Sequence, residues 1–174
     1  MKKTILVLVM VFFVQNIIAQ EDEVNCQCCT EPYGSFDFWI GDWTVYDVKG
    51  NVVGNNTIEK QYDNCVLQEK WTSTGKNKGT SYNYYNKSDQ SWNQLWVDNS
   101  GFSLELKGHY EDGKMIMKSK IINGEKGNYY NQITWHKNSD GSVTQVWDIL
   151  NEKDEKIQEA FKGIYKKSVK SSEN

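Results

Sequence analysis

Two short stretches carry side chains that could recognise a small molecule. One reads Gln94-Leu95-Trp96 and the other Gln145-Val146-Trp147. A third, Glu69-Lys70-Trp71, has the same form with a carboxylate in place of the amide. In an extended strand the side chains of residues i and i+2 point to the same face. Each stretch therefore sets one hydrogen-bonding group beside one indole. A wet, aromatic-lined wall of this kind suits a ligand with a flat or apolar body and a few polar groups. Trp71, Trp96 and Trp147 would supply contact area, and Glu69, Gln94 and Gln145 would orient the ligand. A packed interior whose amides bond one another explains the same pattern, because buried polar groups must be paired.

Glu69 is the sharpest of these residues. A carboxylate among apolar neighbours is costly unless it is paired, protonated or wet. Every basic side chain that could pair with it is a lysine, since the chain contains no arginine. Without arginine there is no bidentate fork for a phosphate or carboxylate ligand. The expected ligand is accordingly small, neutral and partly apolar. Glu69 is also the candidate base if the chain does chemistry. Asp98, Asp148 and Glu159 could join it as a carboxylate pair inside a closed barrel. The sequence has no G-x-S-x-G and no H-E-x-x-H. No cofactor is expected. His109 and His136, the only histidines, sit in polar strands and read as surface residues rather than haem ligands.

The elements that must position these residues are strands. From residue 41 onward, short β-prone runs alternate with turn clusters such as "STGKNKG", "NKSDQS", "DNSG" and "NSDGS". The turns recur at roughly 8–12-residue spacing, which signals an all-β sandwich or barrel. Strands are predicted over 42–48, 52–61, 65–73, 80–86, 91–98, 102–110, 114–122, 127–136, 142–150 and 156–166. The single proline, Pro32, precedes them all. About ten strands with short connections suit an up-and-down antiparallel barrel, whose closure removes exposed edges. The aromatic run 35–40 is expected to plug one end. If Gln94 and Trp96 face in, Leu95 and Val97 face out. With Tyr82, Asn83, Tyr84 and Tyr85 they would form an outer patch suited to a homodimer.

Residues 1–19 pair Lys2 and Lys3 with an apolar run and end on the small residue Ala19. That is the pattern of a secretory signal peptide, cleaved near Ala19 to release a secreted or periplasmic protein. Residues 20–34 form a cysteine-containing segment, 35–166 the barrel and 167–174 a charged, serine-rich disordered tail. The net charge is −3. An acidic chain without a basic patch or basic amphipathic helix does not read as a partner of nucleic acid or, after signal removal, of membrane. Cys26, Cys28, Cys29 and Cys65 lie in an exported chain, so disulfides are expected. The staple predicted here joins Cys65 to Cys28 or Cys29. Read as C-x-C-C, the cluster fits neither a metal site nor a redox pair, and no metal is expected.

The segment "FDFWIGDWTVYDVKGNVVGNNTIEK" resembles a group of exported bacterial proteins, the DUF1579-type lipocalin-like family. The resemblance continues through "CVLQEKW", "SYNYYN", "WNQLWVDNSG" and "ITWHKNSDGSVTQVWD" and covers residues 26–166. Gly41-Asp42-Trp43 is similar to the G-x-W of the first lipocalin strand. That resemblance implies Trp43 at the barrel base, with Gly41 allowing close approach. It also implies a bacterial source and a calycin-type barrel with a small-molecule cavity, and it implies no particular reaction.

Overall fold

The structure is a computed structural model that describes residues 26–168. The expected signal peptide and the end of the tail lie outside the described residues. Eleven strands follow a 3-10 turn at Asp37–Trp39: β1 Gly41–Tyr46, β2 Val52–Gln61, β3 Val66–Ser73, β4 Lys78–Asn86, β5 Ser91–Asp98, β6 Ser103–Glu111, β7 Lys114–Lys118, β8 Ile122–Gly124, β9 Gly127–Lys137, β10 Val143–Asn151 and β11 Lys156–Lys167. Each consecutive pair from β1 to β7 is antiparallel, as are β7–β9, β9–β10 and β10–β11. β11 returns to pair with β1, Trp43 opposite Lys167. The result is a closed ten-stranded antiparallel barrel, with β8 as one extra strand on β9. Among the described residues no helix is long and apolar enough to cross a membrane.

The strands form because side chains alternate between a buried and a solvated face. In β1, Trp43 and Val45 are buried between less buried neighbours. In β2 the inward residues are Gly54, Asn56 and Ile58, and in β6 they are Leu104 and Leu106. The predicted seventh strand ends early, at Lys118. Four steps along the chain from Lys118 to Ile122 face only three steps on β9, from Gln132 to Tyr129. One extra residue must be accommodated, as in a β-bulge. Ser119 covers the gap: its N–H donates to the Asn131 carbonyl and its Oγ accepts from the Asn131 N–H.

One end of the barrel is closed by aromatics. Phe36, just before the 3-10 turn, and Trp39, at its end, are fully buried. Phe36 stacks on Trp39 with centroids 5.0 Å apart and meets Trp92 and Trp135 edge-on. The Trp92 indole donates to Ser35 Oγ at 2.9 Å, and Lys60 pairs with Asp37 at 2.7 Å. Trp43 sits at this base, its Nε1 donating to the Trp39 carbonyl at 2.8 Å. The close approach at Gly41 is made by Lys167. A Cβ on Gly41 would lie 2.2 Å from Lys167 Nζ, which donates to the Ile40 carbonyl and lies 3.8 Å from the centre of the Trp43 ring. The barrel thus reaches into the segment expected to be tail. Lys167 ends β11, and Ser168 donates its N–H to the Asp42 carbonyl.

One of two disulfides ties the N-terminal segment to this closed end, and the other lies within the segment. Cys28 pairs with Cys65, one of the two partners expected. Cys26 pairs with Cys29. Their spacing is C-x-x-C, which the reading of the cluster as C-x-C-C hides. The two bonds fit an oxidising compartment.

Candidate functional site

The interior of a closed barrel receives the inward face of every strand. Below the middle it is filled by Val45, Ile58, Leu67, Met115, Met117 and the plug. Above that layer it is not filled. A cavity of about 410 Å³ runs to the other end, between the β3–β4, β5–β6 and β10–β11 turns. All six residues picked out in the sequence border it: Glu69 and Trp71 from β3, Gln94 and Trp96 from β5, Gln145 and Trp147 from β10.

The wall has an aromatic upper part. Trp71 meets Phe161 edge-on at 6.4 Å, and Trp147 stacks with Phe102 at 6.4 Å. Glycines on neighbouring strands seat two of the indoles. A Cβ on Gly54 would fall 2.4 Å from the Trp71 ring, and one on Gly79 would fall 2.3 Å from the Trp96 ring. Each indole therefore packs against a bare stretch of adjacent backbone. The ring nitrogens are held as well. Trp71 Nε1 donates to Asn77 Oδ1 at 3.1 Å, and Asn77 in turn donates to Asp98 at the mouth. Trp147 Nε1 donates to Asn131 Oδ1 at 2.8 Å.

The floor is polar and its bonds share one direction. Gln94 Nε2 donates to Asn83 Oδ1 at 2.7 Å, and Asn83 Nδ2 donates to Ser81 Oγ at 2.9 Å. Ser81 Oγ donates to Glu69 Oε2 at 2.6 Å, while Asn56 Nδ2 donates to Oε1 at 2.7 Å. Across the floor the Tyr165 hydroxyl donates to Gln145 Oε1. Glu69 is only 5% exposed and ends the donor chain. Burial pushes its carboxyl above the ordinary glutamate range, against the pull of Ser81 and Asn56. Tyr165 is held well above the usual phenol value, first by burial and then by the nearby Glu69 charge.

The shift at Glu69 has a sign that can be measured. Well below the ordinary carboxyl range both folded and unfolded chains hold the proton. As pH rises the unfolded chain loses it first, so the native state holds more protons and stability falls with pH. The loss is complete once pH passes the raised native value. In Glu69→Gln this dependence is absent. Thermal melts from about pH 4 to about pH 7 should show the variant gaining on the wild type as pH rises. A gap that stays constant, or moves the other way, would show that Glu69 is not held toward its neutral form.

The other carboxylates do not gather at Glu69. Asp98 borders the mouth of the cavity. Asp148 and Glu159 both pair with Lys156 outside the barrel, at 3.0 and 3.4 Å. Asp148 follows the inward Trp147 by one residue and so faces out, and for Glu159 the reason is a register shift. Trp147 faces Phe161 but Asp148 faces Glu159, so Ala160 is one extra residue in β11. That turns Glu159 away from the face of Phe161 and Tyr165. His109 lies on the exposed surface 3.2 Å from Glu111, and neither it nor His136 borders the cavity. Tyr82, Tyr84, Leu95 and Val97 do face outward. Asn83 and Tyr85 leave the expected outer patch, because parity turns them in: Asn83 is fully buried and Tyr85 packs on Trp92.

Sequence reasoning did not assign Asn56, Phe102, Gly54 or Gly79 to the site. The two glycines carry a readable signal, since each stands at an inward position of a strand beside one that bears a tryptophan. No protein-family model matches the chain, and no curated protein matches it.

Proposed function

We propose that this protein is an exported binding barrel that holds a small, flat, partly apolar molecule in its open-ended cavity. The carrying observation is the cavity itself: three strands each bring one polar side chain and one indole to a single space of about 410 Å³. Ligand pockets of soluble proteins have this size and this mixture of apolar wall and few polar groups. The bonded floor by itself fits a packed interior, and it is the open space above it that supports binding. The amides of Gln94 and Asn83 pair with one another, yet the space above them stays open. Export is supported by the leader pattern of residues 1–19 and by the two disulfides.

Titration with the neutral dye N-phenyl-1-naphthylamine tests the reading. The dye should brighten on binding and quench the cavity tryptophans. Trp96→Ala should weaken binding by roughly tenfold or more. The urea midpoint should move little, since Trp96 is half-buried and borders open space. Equal dye affinity in the variant would place the dye elsewhere and reject the cavity as the site.

One observation favours acid–base chemistry as a second reading. Glu69 is a buried carboxyl with a raised proton affinity inside a cavity, a combination found at functional sites. In that reading Glu69 is the proton acceptor, and a bound molecule would be recovered altered rather than intact.

A further inference from the structure

We infer that the cavity selects an organic cation: a protonated primary or secondary amine on a flat apolar body, with its ammonium seated at Glu69. The inference rests on the cavity being the binding site and names the ligand class for it.

The charge of the wall is one-sided. Two carboxylates border the cavity, Glu69 deep inside and Asp98 at the mouth, and among the described residues no lysine or histidine does. The lysines that form ion pairs do so elsewhere, with Asp37, Glu59, Asp89, Asp148, Asp154 and Glu159. An anionic ligand would therefore meet only like charge. A neutral ligand would find hydrogen-bond partners but no counter-charge for Glu69, whose buried carboxyl is then held toward the neutral acid. An ionised carboxylate buried alone is among the least favourable states of a protein interior. An ammonium removes the deficit.

The geometry leaves room for it. Glu69 Oε1 accepts from Asn56 and Oε2 from Ser81. A carboxylate has about four acceptor sites, so both oxygens keep a lone pair for ammonium N–H donors. Trp71, Trp96, Trp147 and Phe161 surround the space above. Aromatic faces attract a cation through the ring quadrupole, and more strongly once water is excluded. The same rings accept the flat body of the molecule. The proton balance is simple. Where burial holds Glu69 as the neutral acid, the incoming ammonium keeps its own protons and the Glu69 proton leaves to solvent. A carboxylate–ammonium pair remains.

Competition against N-phenyl-1-naphthylamine with three probes of one shape tests this: 3-phenylpropylamine, 3-phenylpropanol and 3-phenylpropionate. At neutral pH and low salt the amine should displace the dye at roughly tenfold lower concentration than the alcohol, and the acid should not displace it. Glu69→Gln should bring amine and alcohol together. Should that variant fail to fold, the wild type alone decides. Its preference for the amine must shrink as pH is lowered toward about 4, where the carboxyl is neutral. An alcohol that matches the amine, or a preference that ignores both pH and Glu69→Gln, overturns the organic cation and leaves the cavity reading standing. Dye binding that ignores Trp96→Ala overturns the cavity reading instead.

Discussion

Trp39→Ala should cost the fold about 3–5 kcal/mol, the range of a large aromatic truncation in a packed core. Trp39 is fully buried and lies between Phe36, Trp135 and Tyr165, with centroids 5.0, 5.4 and 6.4 Å away. Its own indole N–H has no partner among the described residues. The loss is therefore one of packing, and no hydrogen bond is broken by removing the ring. Its carbonyl, which holds the Trp43 indole, is kept in the variant. Two consequences separate this from general damage. Trp39→Phe should cost clearly less than the alanine variant, because it restores a ring and forfeits no bond. Dye affinity should hold for Trp39→Phe, since Trp39 does not border the cavity. Urea unfolding of the two variants is the measurement. A loss below about 1 kcal/mol for alanine would mean that the plug is not what closes the base.

Removing the Cys28–Cys65 bond should be nearly as costly. The bond closes a loop of 37 residues, for which the chain-entropy relation gives about 4 kcal/mol. The Cys26–Cys29 bond spans a separation of only 3 residues, and the same relation gives about 2 kcal/mol. The long bond also anchors an unusual turn. Tyr62, Asp63 and Asn64 all have positive φ, at 50°, 53° and 70°. Non-glycine residues take that conformation at a cost. The turn is held by Cys65 N–H donating to the Tyr62 carbonyl, while Asn64 Nδ2 donates to Cys29 Sγ of the short bond at 3.0 Å. Denaturant midpoints of the Cys28→Ser/Cys65→Ser and Cys26→Ser/Cys29→Ser double variants should differ in that order. Equal midpoints would reject the loop-length account.

The barrel was legible because its signals are local and repeated. Turn clusters mark where strands stop, and alternation marks which face each residue takes. That is enough to bring Glu69, Gln94 and Gln145 inside with their neighbouring tryptophans. Parity fails wherever the count slips by one. The extra residue at Ala160 sends Glu159 outward, and the slip between Lys118 and Ile122 splits one predicted strand in two. Neither slip has a marker in composition. The donor chain from Gln94 to Glu69 was hidden for another reason. It joins three strands through Asn83 and Ser81, and which residues stand opposite depends on register. The indole seats at Gly54 and Gly79 depend on it too, since both glycines act through the strand beside them.

The seam between β1 and β11 bears on the order of events when the chain is made. Its partners are as far apart as Thr44 and Ser168, 124 residues in sequence, whereas every other strand in the ring pairs with one next to it or one hairpin away. Contacts of such long separation form late, because the closing entropy comes before the reward. The ring cannot shut until β11 has been made, and until then the nascent meander keeps two open edges. A chain that stays unsealed through synthesis stays threadable.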